Sequence, residues 1–510
     1  VGDWVERGIL VPGPAGFVRR DGADAALPDD LHAVWTARVE RVVDGRPDRG
    51  LALELAAALG GAVRAEVWAL ASEELGAVVD PELVDVLLGA GLAVLTEEGW
   101  EPVHGMLRES LLRRAAEGGR LADVHRACAR GLLRQGSASD RGRVGLHLLE
   151  AGDAEQAIAP LLEVARATWL AAEHAEVGRW MDAAARALDL ASRPEPDPDR
   201  VRLALLRAAM ARVRGRLDEA EALAVGARDA ALAGRWVDLC AMASFELGFG
   251  EQMRGRVQPA VAHLQRSIAE AEEAGDEAQL AVSTLRLALV LVDAAELDRA
   301  EVEATRAMAA MEAAGRLLGA GNALVALAGV ALRRGDLARA TALARRAQGF
   351  FERSGSRLAL ADAHNYLGEV VRMAGGLEEA EEHYQQALRL YAELGASDAL
   401  MARINLALVR MAREDFAGAL SELSACLAGC GARLQLVAVV RVFLARCAAA
   451  AGRWPEVSEH LEIGGEALAE TGFVDPDVGR CLEELARMPA VTEAVRARAA
   501  ELARTQTPTM

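Results

Sequence analysis

An alanine returns every 40 residues through the middle of this chain, at Ala220, Ala260, Ala300, Ala340 and Ala380, before slipping to Ala419 and Val457. Five positions ahead of each stands a turn residue: Gly215, Gly255, Ala295, Gly335, Gly375, Glu414 and Gly452. Thirteen positions ahead, a leucine followed by a small residue recurs, as Leu247-Gly248, Leu287-Ala288, Leu327-Ala328, Leu367-Gly368, Leu406-Ala407 and Leu444-Ala445. A fixed period of this size belongs to chains made of stacked units, each burying its apolar face only against its neighbours. Such a chain folds as a solenoid, and solenoids offer surface more often than chemistry.

One unit shows the local logic. Asp362 to Ala374 carries Tyr366, Leu367, Val370, Val371 and Met373 at helical spacing, and Gly375-Gly376 then breaks the helix. Leu377 to Leu394 restarts it, with Leu377, Ala380, Tyr384, Ala387, Leu388 and Tyr391 on one stripe. Gly395 closes this second helix, as Gly275, Gly315 and Gly355 do at the same interval. Each unit is therefore a helix, a tight turn, a second helix and a second turn. Gly368 and Ala380 fall where the two helices cross, and only a small side chain there lets the backbones approach.

This pattern resembles the tetratricopeptide repeat, on Leu367, Gly368, Gly375, Ala380, Tyr384, Ala387 and their counterparts in each unit. The usual unit has about 34 residues, so the 40-residue period is similar to the longer-helix variant of kinesin light chains and bacterial signalling ATPases. The resemblance covers roughly residues 142–472. Degenerate units around Gly152-Asp153 and Gly178-Arg179-Trp180 precede the regular run. It implies an all-α fold, a right-handed superhelix of helix pairs, in which Gly248, Ala260, Ala300, Ala340, Gly368, Gly375, Ala380 and Ala419 are structural.

The sequence contains no lysine; all 57 basic residues are arginine. A P-loop needs a lysine on the phosphates and a protein kinase needs one on its third strand, so neither site is complete here. The net charge of −19 argues against binding to nucleic acid, which depends on neutralising phosphates. Six cysteines are scattered, and although Cys426 and Cys430 share a helical face, no second pair or nearby histidine completes a metal set. They read as small buried apolar residues in a reducing cytoplasm. No apolar run of membrane-spanning length occurs, Arg441 interrupting the longest candidate from Leu434 to Ala451. The chain enters mid-pattern at Val1 and is read as the C-terminal portion of something longer.

Residues 1–135 break the period. The pattern predicts helices over Asp30–Val43, Leu51–Leu59, Arg64–Leu70 and Pro81–Gly89, then a β-hairpin through Gly91–Leu95 and Trp100–Val103. Helices followed by a small hairpin make a winged helix. In order come Leu27-Pro28-Asp29-Asp30-Leu31, Arg38-Val39-Glu40-Arg41-Val42, Ala56–Gly60, Gly91-Leu92 and His104–Leu111. That order resembles the region that follows the nucleotide-binding core of STAND-type signalling ATPases, relatives of which include maltose-activator-type regulators and bacterial serine/threonine kinases with ATPase-plus-repeat tails. The resemblance implies a lid remnant over 1–50, a winged-helix-like domain over 51–117, linker helices and degenerate repeats over 118–198, regular repeats over 199–472, and capping helices with a tail over 473–510. It also implies that His104, with Arg108 beside it, contacts an ADP phosphate; a histidine capping the Met106–Arg114 helix is the plain alternative. Val103 departs from the aromatic common before that histidine.

By register, the first helix of each unit lines the inner surface. Candidate partner contacts there are Phe245, Phe249, Leu285, Leu289, Val325, Ile404, Leu408 and Met411, with Asn322, Asp362, Asn365, Glu369 and Arg372 as the polar set. Several of these also fit a core position between units. The sequence shows no paired basic and amide groups of the kind that clamp a peptide carboxylate. Tyr366, Tyr384 and Tyr391 gather in one unit with His364, Asn365 and His383. The tri-proline stretch Pro194–Pro198 separates irregular units from the array. The expected role is a non-catalytic, cytoplasmic interaction or sensor arm of a bacterial signalling protein, binding a protein or peptide, or the parent's own domains, and regulating an ATPase or kinase outside this chain. No nucleic acid, membrane, metal or cofactor is expected for these residues, with ATP or ADP belonging to the parent. The other reading is an ATP-dependent transcription regulator of the maltose-activator type whose DNA-binding module lies elsewhere.

Overall fold

A computed structural model describes residues 10–13, 16–19, 31–171, 174–394, 399–431 and 433–506. The expected helix start at Pro28-Asp29-Asp30, the closing Gly395 and the tail residues 507–510 lie outside them. The chain forms two compact units, Val1–Glu195 and Pro196–Met510.

In unit 1, strands β1 (Leu10–Gly13) and β2 (Gly16–Arg19) pair antiparallel. Helices α1 (Leu31–Val43), α2 (Pro47–Leu59), α3 (Ala65–Glu74) and α4 (Leu83–Gly89) follow. The hairpin read from the glycine turn is present as β3 (Ala93–Thr96) and β4 (Gly99–Pro102), in register Ala93↔Pro102 and Thr96↔Gly99. Trp100 of β4 lies edge-on to Trp68 of α3, 5.3 Å between ring centroids, and the Trp68 indole donates to the Ala52 carbonyl at 2.7 Å. Helices α5 (Gly105–Glu117), α6 (Leu121–Gln135), α7 (Arg141–Glu150), α8 (Ala154–Leu170) and α9 (His174–Ala191) complete the unit. Gly131 lets α6 approach α3: a Cβ on it would stand 2.9 Å from the Ala71 backbone nitrogen.

Unit 2 is eight helix pairs. They are α10 (Pro198–Val213) with α11 (Leu217–Gly234), α12 (Val237–Met253) with α13 (Val257–Ala274), and α14 (Glu277–Asp293) with α15 (Leu297–Ala313). Then come α16 (Leu317–Arg333) with α17 (Leu337–Ser354), α18 (Arg357–Met373) with α19 (Leu377–Glu393), and α20 (Ala399–Ala412) with α21 (Phe416–Gly429). The array ends in α22 (Leu434–Ala450) with α23 (Trp454–Thr471) and α24 (Pro476–Arg487) with α25 (Glu493–Thr505). Each turn residue of the 40-residue register takes positive φ, from 59° at Ala295 to 91° at Gly375, so that register marks a left-handed backbone position rather than a glycine as such.

The crossing residues are where the period places them. Ala260, Ala300, Ala340, Ala380 and Ala419 have no exposed surface. A Cβ on Gly368 would lie 2.7 Å from the Tyr384 ring, and one on Gly248 would lie 2.8 Å from the Leu264 side chain and 3.2 Å from the Ala260 carbonyl oxygen. Helix starts are fixed by short polar side chains: Asp276 accepts from the Gln279 amide at 2.9 Å and Asp336 from the Arg339 amide at 3.0 Å. The architecture is an all-α superhelical repeat, as the period predicts. All six cysteines are reduced and buried, and burial raises the Cys128 and Cys447 thiols to about 12. Among the described residues no helix is long and apolar enough to cross a membrane.

Candidate partner-binding groove

The first helices of the pairs from α12 to α20 carry the residues that the register assigns to the inner face. Their surroundings divide them. Leu285 is buried against Ala281, Met311 and Ala323, and Ile404 and Leu408 lie in the large core that runs through the last three pairs. These three residues pack one unit on the next. Phe245, Leu289, Val325 and Met411 are half-buried on the edges of those cores, and Asn322 is half-buried as well. Asp362 is exposed and accepts from the Tyr391 hydroxyl, while Asn405 donates to Asn365 at 3.1 Å across neighbouring units.

Phe249 sits between two arginines. The Arg212 guanidinium carbon lies 3.7 Å from its ring centroid and that of Arg286 lies 3.5 Å away, a double cation–π contact. Phe245 meets Phe249 edge-on at 5.9 Å. Arg212 pairs with Glu246 at 2.9 Å. Arg286 also donates to the Gln252 side chain at 3.4 Å, and Gln252 donates to Asp293 at 3.3 Å. Burial and the neighbouring Arg212 pull the Arg286 guanidinium down to about 9, and burial raises the Asp293 carboxyl. Arg212, Glu246, Arg286 and Asp293 thus form a row of ionisable side chains running from α10 to α14.

A second polar group lies further along. Arg333 at the end of α16 donates to the Val474 carbonyl at 2.6 Å. Arg372 of α18 forms a two-pronged pair with Asp477 at the start of α24, one contact being 3.2 Å, and also donates to the Tyr384 hydroxyl at 3.4 Å. Burial opposes the Arg372 charge, but Asp477 outweighs it and holds the guanidinium firmly protonated. Glu369, one turn before Arg372, has no hydrogen bond or ion pair among the described residues. Burial raises its carboxyl to about 7, with Asp475 and Asp477 adding to the rise and Arg372 and Arg333 opposing it. The Tyr366 hydroxyl is shut off from solvent without a partner.

Sequence reasoning named Glu369 and Arg372 but missed Arg286, Asp293 and Arg333. A signal was available: Asp293, Arg333 and Met373 share one 40-residue register on the last turn of successive first helices. Unit 2 thus carries arginines and a side-chain amide near one another on its first helices. In unit 1, His104 caps α5, its Nδ1 accepting from the Met106 amide at 3.3 Å, and its ring lies 5.4 Å from that of Trp35. Arg108 donates to the Ala57 carbonyl at 2.7 Å.

Residues 319–393 match the family described as Tetratricopeptide repeat. No curated protein matches the chain. Among solved structures, a Rap protein complexed with Competence and Sporulation Factor is 14% identical over 69% of this chain and 97% of its own, with a TM-score of 0.54. A STAND protein with a tetratricopeptide repeat sensor from Pyrococcus horikoshii is 15% identical, with a TM-score of 0.55, over 88% of this chain. This chain spans 66% of that protein's length. NprR in complex with its cognate peptide NprX is 13% identical over 68% of this chain and 98% of its own, with a TM-score of 0.50. At these identities the likeness is one of fold, and with the match over 319–393 it establishes that this chain carries a tetratricopeptide-type superhelical repeat array.

Proposed function

We propose that this chain is the non-catalytic binding and sensing arm of a bacterial signal-transduction protein, and that unit 2 takes a protein or peptide on its inner face. The observation that carries the reading is the row of half-buried and buried ionisable side chains on its first helices, Arg286, Asp293, Arg333, Glu369 and Arg372. Buried charge is retained against its desolvation where it meets a partner or fixes specificity. Two of the structural neighbours are complexes with a factor or cognate peptide, and a third is a signalling ATPase with such a sensor. These neighbours support the same class of ligand here.

In this reading the regulated ATPase or serine/threonine kinase lies on polypeptide outside these residues, where any ATP or ADP would bind. Residues 51–117 act as the winged-helix-like connection, with His104 and Arg108 facing the nucleotide-bearing neighbour. The test is reconstitution. The coding sequence upstream of Val1 is expressed as a separate protein, and its ATPase or kinase rate is measured with and without the 510-residue chain. A complex and a lowered rate are expected; no complex and an unchanged rate would sink the reading.

A further inference from the structure

Most ion pairs between helix pairs of unit 2 join neighbours. Arg306–Glu272, Arg334–Glu301, Arg413–Glu381 and Arg446–Glu484 each span between 32 and 38 residues, about one repeat. Besides Arg256, which lies 4.0 Å from Glu470 of α23, two contacts break this rule. Arg333 reaches Val474 across 141 residues and Arg372 reaches Asp477 across 105. Both end on the non-helical link Gly472–Asp475 and the first turn of α24. The coil of unit 2 therefore comes round on itself here, and the turn at Gly255 likewise abuts Gln435 and Thr471.

The link is held on its far side by its own module. Gln506 accepts from the Asp475 amide at 2.9 Å and donates to the Phe473 carbonyl at 3.2 Å. Asp475 in turn caps α24, accepting from the Asp477 and Val478 amides at 2.8 and 3.0 Å. Helices α24 and α25 belong to one continuous core with α22 and α23. What touches Arg333 and Arg372 is thus a preformed turn on a firmly packed end module, with two aspartates spaced by one proline. The contact with α16 and α18 is polar, small and unlike any contact within the stack. The receiving surface is also incompletely used: among the described residues the Tyr366 hydroxyl has no hydrogen-bond partner, and Glu369 stands beside it without an ion pair.

We propose that Arg333 and Arg372 form a receptor on the inner face of the array for an acidic turn bearing two closely spaced carboxylates, that the chain's own Val474–Asp477 occupies it as an internal stand-in, and that a partner with the same acidic feature binds by displacing it. Displacement needs no unfolding. Small rotations at each repeat interface add along a solenoid, so a slight widening of the coil parts α24 from α18 while every neighbour contact is kept. In the closed coil the tethered segment competes at high effective concentration, so partner affinity is reduced by the fraction of time the receptor is vacant.

This inference rests on the reading of unit 2 as a binding array, but its test uses the chain's own segment and needs no known partner. A fluorescein-labelled peptide of residues 470–480 is titrated against the full chain by fluorescence anisotropy. Asp477→Asn in the protein weakens the internal occupant and leaves both arginines in place. It is expected to bind the peptide roughly tenfold more tightly than wild type. Adding Arg333→Gln and Arg372→Gln to that variant should abolish the binding, as should replacing both aspartates of the peptide by asparagine. Small-angle scattering of Asp477→Asn should show an increased radius of gyration with unchanged helical circular dichroism. Equal, absent or arginine-independent binding overturns the proposal. So does loss of helix in Asp477→Asn, which would make the pair a keystone of the fold instead of an exchangeable contact.

Discussion

A buried histidine pair in unit 1 and a set of buried carboxyls in unit 2 respond to pH with opposite sign. In the core of unit 1, His125 of α6 and His147 of α7 face each other with their Nδ1 atoms 3.0 Å apart. Burial lowers both, His147 to about 3, with His125, Arg143 and Arg108 adding to the effect on His147 and Glu150 opposing it on His125. On the inner face of unit 2, burial raises the carboxyls of Asp293, Glu369 and Asp475. A shielded imidazole resists taking up a proton, and a shielded carboxyl resists giving one up. The signs follow by linkage. The His147 contribution is fully present above its ordinary value of 6.5 and is lost as pH falls toward about 3. The Glu369 contribution is fully present below its ordinary value of 4.5 and is lost as pH rises through about 7. Between pH 4.5 and 6.5 the His147 contribution grows with pH while the Glu369 contribution shrinks. A packed core and a binding face that share one polypeptide therefore need not share one pH optimum.

The sharpest way to break this comparison is to remove the histidine. At pH 4.5 wild-type unit 1 should have lost about 3 kcal/mol relative to pH 7 through His147 alone. His147→Leu should abolish most of that loss, read as the pH dependence of hydrogen-exchange protection in α6 and α7. An unchanged acid response in the variant would remove the imidazole pair from the account. The matching change in unit 2 is Glu369→Gln. The groups facing Glu369 are Tyr366 and Arg372 on its own helix, Arg333 from α16, Tyr384 from α19, and Asp475 and Asp477 from the α24 lead-in. Wild type should lose about 2–3 kcal/mol relative to Glu369→Gln between pH 4.5 and 7, and the difference should be flat above. The half-buried His364 and His383 titrate in both proteins and cancel in the difference. A difference that grows in the acid direction would reverse the sign and refute the buried-carboxyl reading.

Packing sets the next effect. Gly368→Ala drives a methyl carbon into the Tyr384 ring, whose hydroxyl is tied to Arg372, so the ring cannot swing away freely. The expected loss is about 1–2 kcal/mol by urea unfolding. Tyr384→Leu in the same background should recover part of it. Failure of the second change to couple to the first would mean that the helix crossing absorbs the methyl in another way.

What the sequence disclosed follows the same line. Within the array the crossing contacts join residues no more than about one repeat apart, such as Gly368 with Tyr384 and Gly248 with Leu264, so the spacing of Ala260, Ala300, Ala340 and Ala380 was enough to place the helix pairs and their contacts. Unit 1 has no period, and there the glycine turn and the alternating apolar runs revealed β3 and β4 but not the histidine pair, whose members are 22 residues apart on helices of unrelated pattern. The contacts of Arg333 and Arg372 with the α24 lead-in were illegible for another reason. They depend on the summed rotation of several repeats, each too small to leave a mark in local spacing. Asp475 and Asp477 read as an ordinary helix start, which they also are.

The smallest effect tests the local register itself. Seven turn positions share positive φ, and five of them are glycine. Ala295, with φ of 59°, and Glu414, with φ of 65°, hold the same left-handed backbone with a Cβ attached. The amide hydrogen bonds around Ala295 match those at Gly335: Ala294 to Val290, and Ala295 to Val292, as Arg334 to Val330, and Gly335 to Leu332. The neighbouring helices therefore impose the conformation, and the alanine bears the strain. Ala295→Gly removes that strain but also gives the unfolded chain more freedom, so the two terms partly offset. A net gain of about 0.5–1 kcal/mol is expected, because left-handed strain outweighs the added entropy at a position this tightly fixed. Gly335→Ala should lose a similar amount. If both substitutions destabilise alike, the turn is set by side-chain contacts, and the conformational reading of the 40-residue register fails.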